Sequence, residues 1–157
     1  HEMKPLYIFD LDGTLALIDH RRHFVERERG KQDWDAFFLA CDKDEPCSPV
    51  IRVMETLRYS GADIRVWSGR SDMAKEQTID WLAHHTSFCT WELEPPVLLM
   101  RQEKDYTPDD EMKQQWLSEL SKEDRDRLVA VFDDRDKVVA MWRKNEVPCF
   151  QVAPGEF

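Results

Sequence analysis

Short apolar runs alternate with amphipathic stretches along this chain, and the runs break off at acidic, hydroxyl or basic residues. Leu6–Tyr7–Ile8–Phe9 reads as a buried strand, and it leads straight into Asp10-Leu11-Asp12-Gly13-Thr14. Ile64–Trp67 is a second strand, ending at Ser68-Gly69-Arg70. Pro96–Met100 is a third, ending at Arg101, and Leu128–Phe132 is a fourth that delivers Asp133-Asp134. Cys149–Val152 is a short last strand. Helical spacing fills the gaps. Ser48-Pro49 reads as a cap followed by proline in the first turn, with Val50, Val53, Met54 and Leu57 on one face and Gly61 closing the helix. A helix over about 72–84 turns Ile79 and Leu82 inward. Thr107-Pro108 opens a helix that buries Met112, Trp116 and Leu120, and another carries Val138, Met141 and Trp142. Residues 16–47 are the least regular, with a basic cluster (Arg21, Arg22, His23), a charged Glu26–Arg29 run and an aromatic-rich Trp34–Leu39. Strand–helix alternation of this kind predicts an α/β fold whose parallel sheet is covered on both faces.

The length of 157 residues fits one domain, able to bury ~70% of the surface its unfolded chain exposes. A hydrophobic content of 41% excludes a disordered chain, and no apolar run approaches a membrane span. No signal peptide precedes the first strand, so a soluble, cytoplasmic protein is expected. Met3-Lys4-Pro5 reads as a natural start, with His1-Glu2 as an appended pair. Cys41, Cys47, Cys89 and Cys149 form no C-x-x-C pair and suit reduced, mostly buried thiols. The net charge of −10, from 32 acidic and 22 basic residues, argues against an extended nucleic-acid footprint. It leaves room for a local basic pocket gripping one terminal phosphate.

Ligands of such sheets bind at the carboxyl ends of the strands. Asp10/Asp12, Ser68/Gly69/Arg70 and Asp133/Asp134 therefore converge on one crevice. Asp10 and Asp12 alone are compatible with a metal–phosphate site or with a plain Asp-Gly turn. Four carboxylates in one crevice would repel unless a cation shared them, and oxygen-only ligation favours Mg²⁺ over zinc. Asp109 and Lys113 stand at i, i+4 and can pair, either as a surface ion pair or facing the crevice. Arg70 follows Ser-Gly, where a phosphate can use backbone N–H groups, hydroxyl and guanidinium together.

Asp10-Leu-Asp12-Gly-Thr14, Ser68-Gly-Arg70, Lys113 and Asp133-Asp134 resemble, in order, the four motifs of the haloacid dehalogenase (HAD) superfamily of phosphohydrolases. The tail from Val131 to Phe157, and Arg101…Asp105…Asp109-Asp110…Lys113, are similar to the phosphatase domain of the phage polynucleotide kinase–3′-phosphatases. Arg21 sits at the spacing after Asp10 where that family keeps a substrate-phosphate arginine. The resemblance covers nearly the whole chain and is weakest over 22–47. It implies a Rossmannoid three-layer sandwich with a central parallel sheet of about five strands, carrying a small helical cap inserted at about 16–47. It implies Asp10 as nucleophile, Asp12 as general acid and then base, and Mg²⁺ held by Asp10, the Asp12 main-chain carbonyl, Asp133 and Asp134. Thr14, Ser68, Gly69 and Lys113 would bind phosphoryl oxygens, Arg21 and Arg70 would neutralise the phosphate, and Asp109 would orient neighbouring cations. Arg21→Ala is then expected to impair catalysis rather than stability.

The chain holds no G-x-x-x-x-G-K-[ST] loop, so a kinase half is absent from it. A stand-alone phosphatase and a domain of a larger kinase–phosphatase both fit, and a kinase or ligase is an expected companion. Trp34, Phe37 and Phe38 are expected chiefly to pack the insertion onto the core, with stacking on a base or sugar as the other use. His20, His23, His84 and His85 have no motif spacing and read as ordinary surface or hinge residues. The expected activity is removal of 3′-phosphates from nucleic-acid ends or nucleotides. A general nucleotidase or small-molecule phosphatase is the alternative, followed by a non-catalytic end-binding domain and a mutase-type phosphotransferase.

Overall fold

A strand that is apolar at every position has two faces to bury, and the first strand does so. In the computed structural model, which describes residues 3–157, β1 (Leu6–Phe9) sends Leu6 and Ile8 into one core and Tyr7 and Phe9 into another. The His1-Glu2 pair lies outside the described residues. β1 is the middle of a five-stranded sheet. On one side lie β4 (Asp63–Ser71) and β5 (Leu98–Arg101), and on the other β6 (Leu128–Asp133) and β7 (Cys149–Gln151). All four pairings are parallel. Phe9 and Phe132 stack at 4.4 Å across β1 and β6.

Helices α2 (Ser48–Tyr59) and α3 (Lys75–His85) cover one face, placing Ile51, Met54, Trp81 and Leu82 against Phe9, Val66 and Leu98. Helices α4 (Asp109–Ser118) and α6 (Asp136–Lys144) cover the other, where Leu117, Val138 and Trp142 meet Ile8, Trp67 and Val131. The result is the expected three layers. Among the described residues no helix is long and apolar enough to cross a membrane.

Local details differ from the pattern. The cap of α2 is Cys47, with Ser48 already in the first turn, and Ile51 is buried where Val53 is 44% exposed. Val50, Met54 and Leu57 pack against the core as the spacing predicts, and Ile51 takes the place expected for Val53. Pro108 is the cap of α4 rather than its first residue, and the buried end of that helix is Leu117 rather than Leu120. Strand β4 continues through Ser71, so Ser68-Gly69-Arg70 is extended chain, with a register break against β5 between Ser68 and Ser71. The 72–84 segment divides into a 3-10 turn, Asp72–Ala74, and α3, which also buries Thr78. A short helix, α5 (Lys122–Arg127), precedes β6 without an apolar stripe to announce it.

Residues 16–47 leave and return at one place. Strand β2 (Ala16–Leu17) pairs antiparallel with β3 (Glu45–Pro46), and Cys47 N–H donates to the Leu15 carbonyl at 2.8 Å. Between these strands lie a 3-10 segment, Asp19–Phe24, helix α1 (Trp34–Leu39) and a second 3-10 turn, Ala40–Lys43. Phe37 is buried here, and the Arg21 guanidinium lies over its ring at 4.4 Å. Packing is therefore the role of Phe37, whereas Trp34 keeps 48% of its surface exposed.

Candidate active site

β1 ends at Phe9, and its ladder is prolonged by Asp10 N–H donating to the Phe132 carbonyl at 2.9 Å. The chain then turns sharply: the N–H groups of Thr14, Leu15 and Ala16 all point at the Leu11 carbonyl. Gly13 makes this turn possible. It adopts φ +81°, and a Cβ there would overlap the Asp134 carboxylate. The turn and the end of β6 thereby bring Asp10, Asp133 and Asp134 together, each offering a carboxylate oxygen within 4.8 Å of the others.

Lys113 reaches this cluster from α4. Its ammonium donates to Asp10 Oδ1 at 2.8 Å and Asp133 Oδ2 at 3.1 Å, and it is 2% exposed. Asp133 Oδ1 accepts from the N–H groups of Asp134 at 2.8 Å and Arg135 at 3.3 Å, in the link between β6 and α6. The Thr14 hydroxyl stands 3.3 Å from Asp10 and 3.4 Å from Asp134. Burial and the neighbouring Asp133 charge push the Asp10 carboxyl well above the usual carboxylate range, and the same two causes lift Asp134 to about 6. Burial opposes the Lys113 charge, but Asp10 and Asp133 outweigh it and hold the ammonium protonated. One cation against three buried carboxylates leaves excess negative charge. A set of hard oxygen donors this close suits a hard metal cation.

Asp12 belongs to a second cluster. Arg21 donates to Asp12 Oδ1 at 2.8 Å, and Arg70 NH2 pairs with the same oxygen. Burial pushes the Asp12 carboxyl up, but the Arg70 and Arg21 guanidinia outweigh it and hold it at about 2. The four carboxylates thus do not form one group: Asp12 turns its side chain to the arginines and leaves the other three together. Behind the arginines lies Asp44, buried and absent from the sequence reading. It accepts from Arg21 Nε and NH2, both at 2.8 Å, and from Arg70 NH2 at 3.3 Å. His20 Nε2 is 2.7 Å from Asp44 Oδ1, so His20 is a network member and not an ordinary surface residue. Only the run of irregular chain around Asp44 was visible in the sequence, and it carries no motif.

Asp109 and Lys113 do not pair directly. Asp109 accepts from Arg101 and, at 3.0 Å, from Arg135, while its carboxylate lies where a Cβ on Gly69 would sit. Lys113, one turn on, is drawn inward by the buried acids instead. Ser68 Oγ accepts from the Arg70 N–H at 3.0 Å. A cavity of about 640 Å³ opens over Asp10, Asp12, Gly69, Lys113, Asp133 and Asp134. Thr14, Arg21, Ser68 and Arg70 are buried in the layer beneath it.

Arg21 is fully buried between two carboxylates. Arg21→Ala should therefore cost stability as well as turnover, about 3 kcal/mol or more, because Asp44 loses its main partner in a buried site. Arg21→Lys should recover part of the stability but not the forked contact. Denaturant unfolding of both variants checks this; an Arg21→Ala protein as stable as the parent would refute it.

Residues 4–157 match the family described as the polynucleotide kinase PNKP phosphatase domain. The chain aligns with one in a structure of the Pnkp1/Rnl/Hen1 RNA repair complex at 30% identity and a TM-score of 0.75, covering 98% of this chain and 44% of that one. A second Pnkp1/Rnl/Hen1 structure gives 31% identity and a TM-score of 0.73, covering 98% and 48%. The chain thus spans less than half the length of these two relatives. The class C acid phosphatase of Bacillus anthracis, at 16% identity and a TM-score of 0.67 over 99% of this chain and 68% of its own, shares the fold.

Proposed function

Because the chain belongs to the polynucleotide kinase PNKP phosphatase domain family, within the HAD phosphatases, we propose that it is a Mg²⁺-dependent 3′-phosphatase of nucleic-acid ends or nucleotides. The observation that carries this reading is Asp10. It faces an open cavity, fixed by Lys113 and within 4.8 Å of two further carboxylates. Mg²⁺ fits the oxygen set of Asp10, Asp133 and Asp134; the Asp12 main-chain carbonyl would add a further ligand, and the ion would supply countercharge for the phosphoryl oxygens.

Asp10 attacks phosphorus, the bond to the 3′-oxygen breaks, and an aspartyl-phosphate forms. Asp12 donates a proton to the leaving oxygen, then takes one from the water that hydrolyses the aspartyl-phosphate. In the free protein Asp12 is ionised by its two arginines. A phosphate dianion competing for those guanidinia favours the protonated acid needed first. Arg21 and Arg70 spread the charge of the phosphoryl group, Thr14, Ser68, the Gly69 backbone and Lys113 bind its oxygens, and Asp109 holds Arg101 and Arg135 in place. Residues 16–47 act as a cap over one domain spanning the chain. A kinase or ligase as companion, on the same chain or another, accords with the repair complex that the relatives belong to. Four unpaired thiols accord with a cytoplasmic setting.

The net charge of −10 favours one rival, a nucleotidase acting on small phosphate esters. Phosphate release with Mg²⁺ from 3′- and 5′-phosphorylated oligonucleotides and from 3′- and 5′-mononucleotides separates the two. The expected order places 3′-phosphorylated oligonucleotides first. Equal or faster release from 5′-mononucleotides would favour the nucleotidase, and no release from any would remove the catalytic reading.

A further inference from the structure

Two aromatic side chains stand exposed in the cavity wall. Trp34, 48% exposed, begins α1, and Tyr106, 85% exposed, lies in the loop between β5 and α4. Both line the cavity that holds Asp10 and Asp12. The Tyr106 loop is not slack. Arg101 NH1 donates to the carbonyls on either side of the tyrosine, Asp105 at 3.0 Å and Thr107 at 2.6 Å. The Thr107 N–H and hydroxyl both return to Asp105 Oδ1, at 3.0 and 2.7 Å. A loop held at both shoulders thus presents a ring that has no aromatic partner among the described residues. Trp34 is braced edge-on by Phe37 at 5.7 Å, and α1 is capped by Asp33.

The charge around this mouth narrows what can occupy it. Glu26, Asp35, Glu103 and Asp105 line the cavity against Arg22 and Lys104, and Arg101 and Arg135 are taken up by Asp109, so the mouth has no surplus of positive charge to hold a polyanion by its phosphates alone. Flat apolar contact remains as the source of affinity, and a nucleobase has a π-face on each side. We propose that Trp34 and Tyr106 form an aromatic clamp on the base of the terminal, phosphate-bearing nucleotide, setting it beside the reacting phosphate. This rests on the 3′-phosphatase reading and names which part of the substrate the cap recognises. Trp34 and Tyr106 are specificity residues; neither touches the reacting atoms.

The test measures binding apart from turnover. Asp10→Asn protein is titrated against a single-stranded oligonucleotide ending in a 3′-phosphate, and against the same strand whose last nucleotide is abasic. The base should tighten binding roughly tenfold. Adding Tyr106→Ala or Trp34→Ala should reduce that ratio to about threefold or less, with Tyr106→Phe and Trp34→Phe restoring it. Melting curves of the exposed-site variants establish that they are folded. A ratio near one in the parent, or a ratio untouched by either alanine, overturns the clamp. Phosphate release by the unmutated protein reports separately: hydrolysis without base dependence sinks the clamp alone, and base-dependent binding without hydrolysis sinks the phosphatase reading alone. Failure to bind either strand overturns both.

Discussion

Asp10→Asn should abolish phosphate release from every phosphomonoester the protein accepts, a loss on the order of 10⁴–10⁶-fold, while the fold survives intact. The size follows from chemistry: an amide oxygen cannot take the phosphoryl group, and Asp133, the other carboxylate that Lys113 holds, has its second oxygen engaged by the Asp134 N–H. The survival of the fold follows from electrostatics. Burial and Asp133 already push the Asp10 carboxyl upward, so removing its charge relieves repulsion within the cluster. Without divalent cation the variant should melt at or above the parent's temperature. Turnover within tenfold of the parent would exclude Asp10 as nucleophile, and collapse of the fold would assign it a structural role instead.

Lys113→Met should have the largest effect on stability. The lysine is buried at 2% exposure and is the common partner of Asp10 and Asp133. Methionine fills similar volume but leaves three carboxylates facing one another without their internal cation. Breaking a buried charge pair from one side costs about 3–5 kcal/mol. For a chain of this length that is a fall in melting temperature of roughly 10 °C. Added Mg²⁺ should return part of the loss, since a cation bound only to the folded state stabilises it by mass action. Melting scans with and without Mg²⁺ measure both effects. A variant that melts within 2 °C of the parent in chelator, on the order of 0.5–1 kcal/mol, would show that Lys113 is not the countercharge.

The parallel sheet was legible because β1 and β6 are apolar at nearly every position, which only two covered faces explain. The carboxylate cluster was legible for a related reason: Asp10 and Asp133 come directly after the apolar runs of β1 and β6. What the sequence concealed lies where side chains reach across long separations. Asp44 sits in a stretch with neither period nor motif, and its two arginine partners are 23 and 26 residues away. The division of the acids into two groups was hidden too, because alternation along an extended strand puts Asp10 and Asp12 on one side. The Gly13 turn ends the strand first and sends the side chains to different partners. The i, i+4 spacing of Asp109 and Lys113 permitted a pair, but buried acids and two arginines offered each residue a stronger partner.

The antiparallel β2–β3 contact makes residues 16–47 look like an exchangeable module, joined to the frame at one seam. Arg21 and Asp44 contradict that view, since both travel with the module and yet hold Asp12 in its place. On the proposed mechanism, exchanging the segment for another, to redirect the protein to a new phosphate ester, would remove Arg21, one of the two cations that hold Asp12, along with Trp34. A graft would then need its own arginine–aspartate pair at matching positions, so that the proposed recognition and proton transfer would be inherited together.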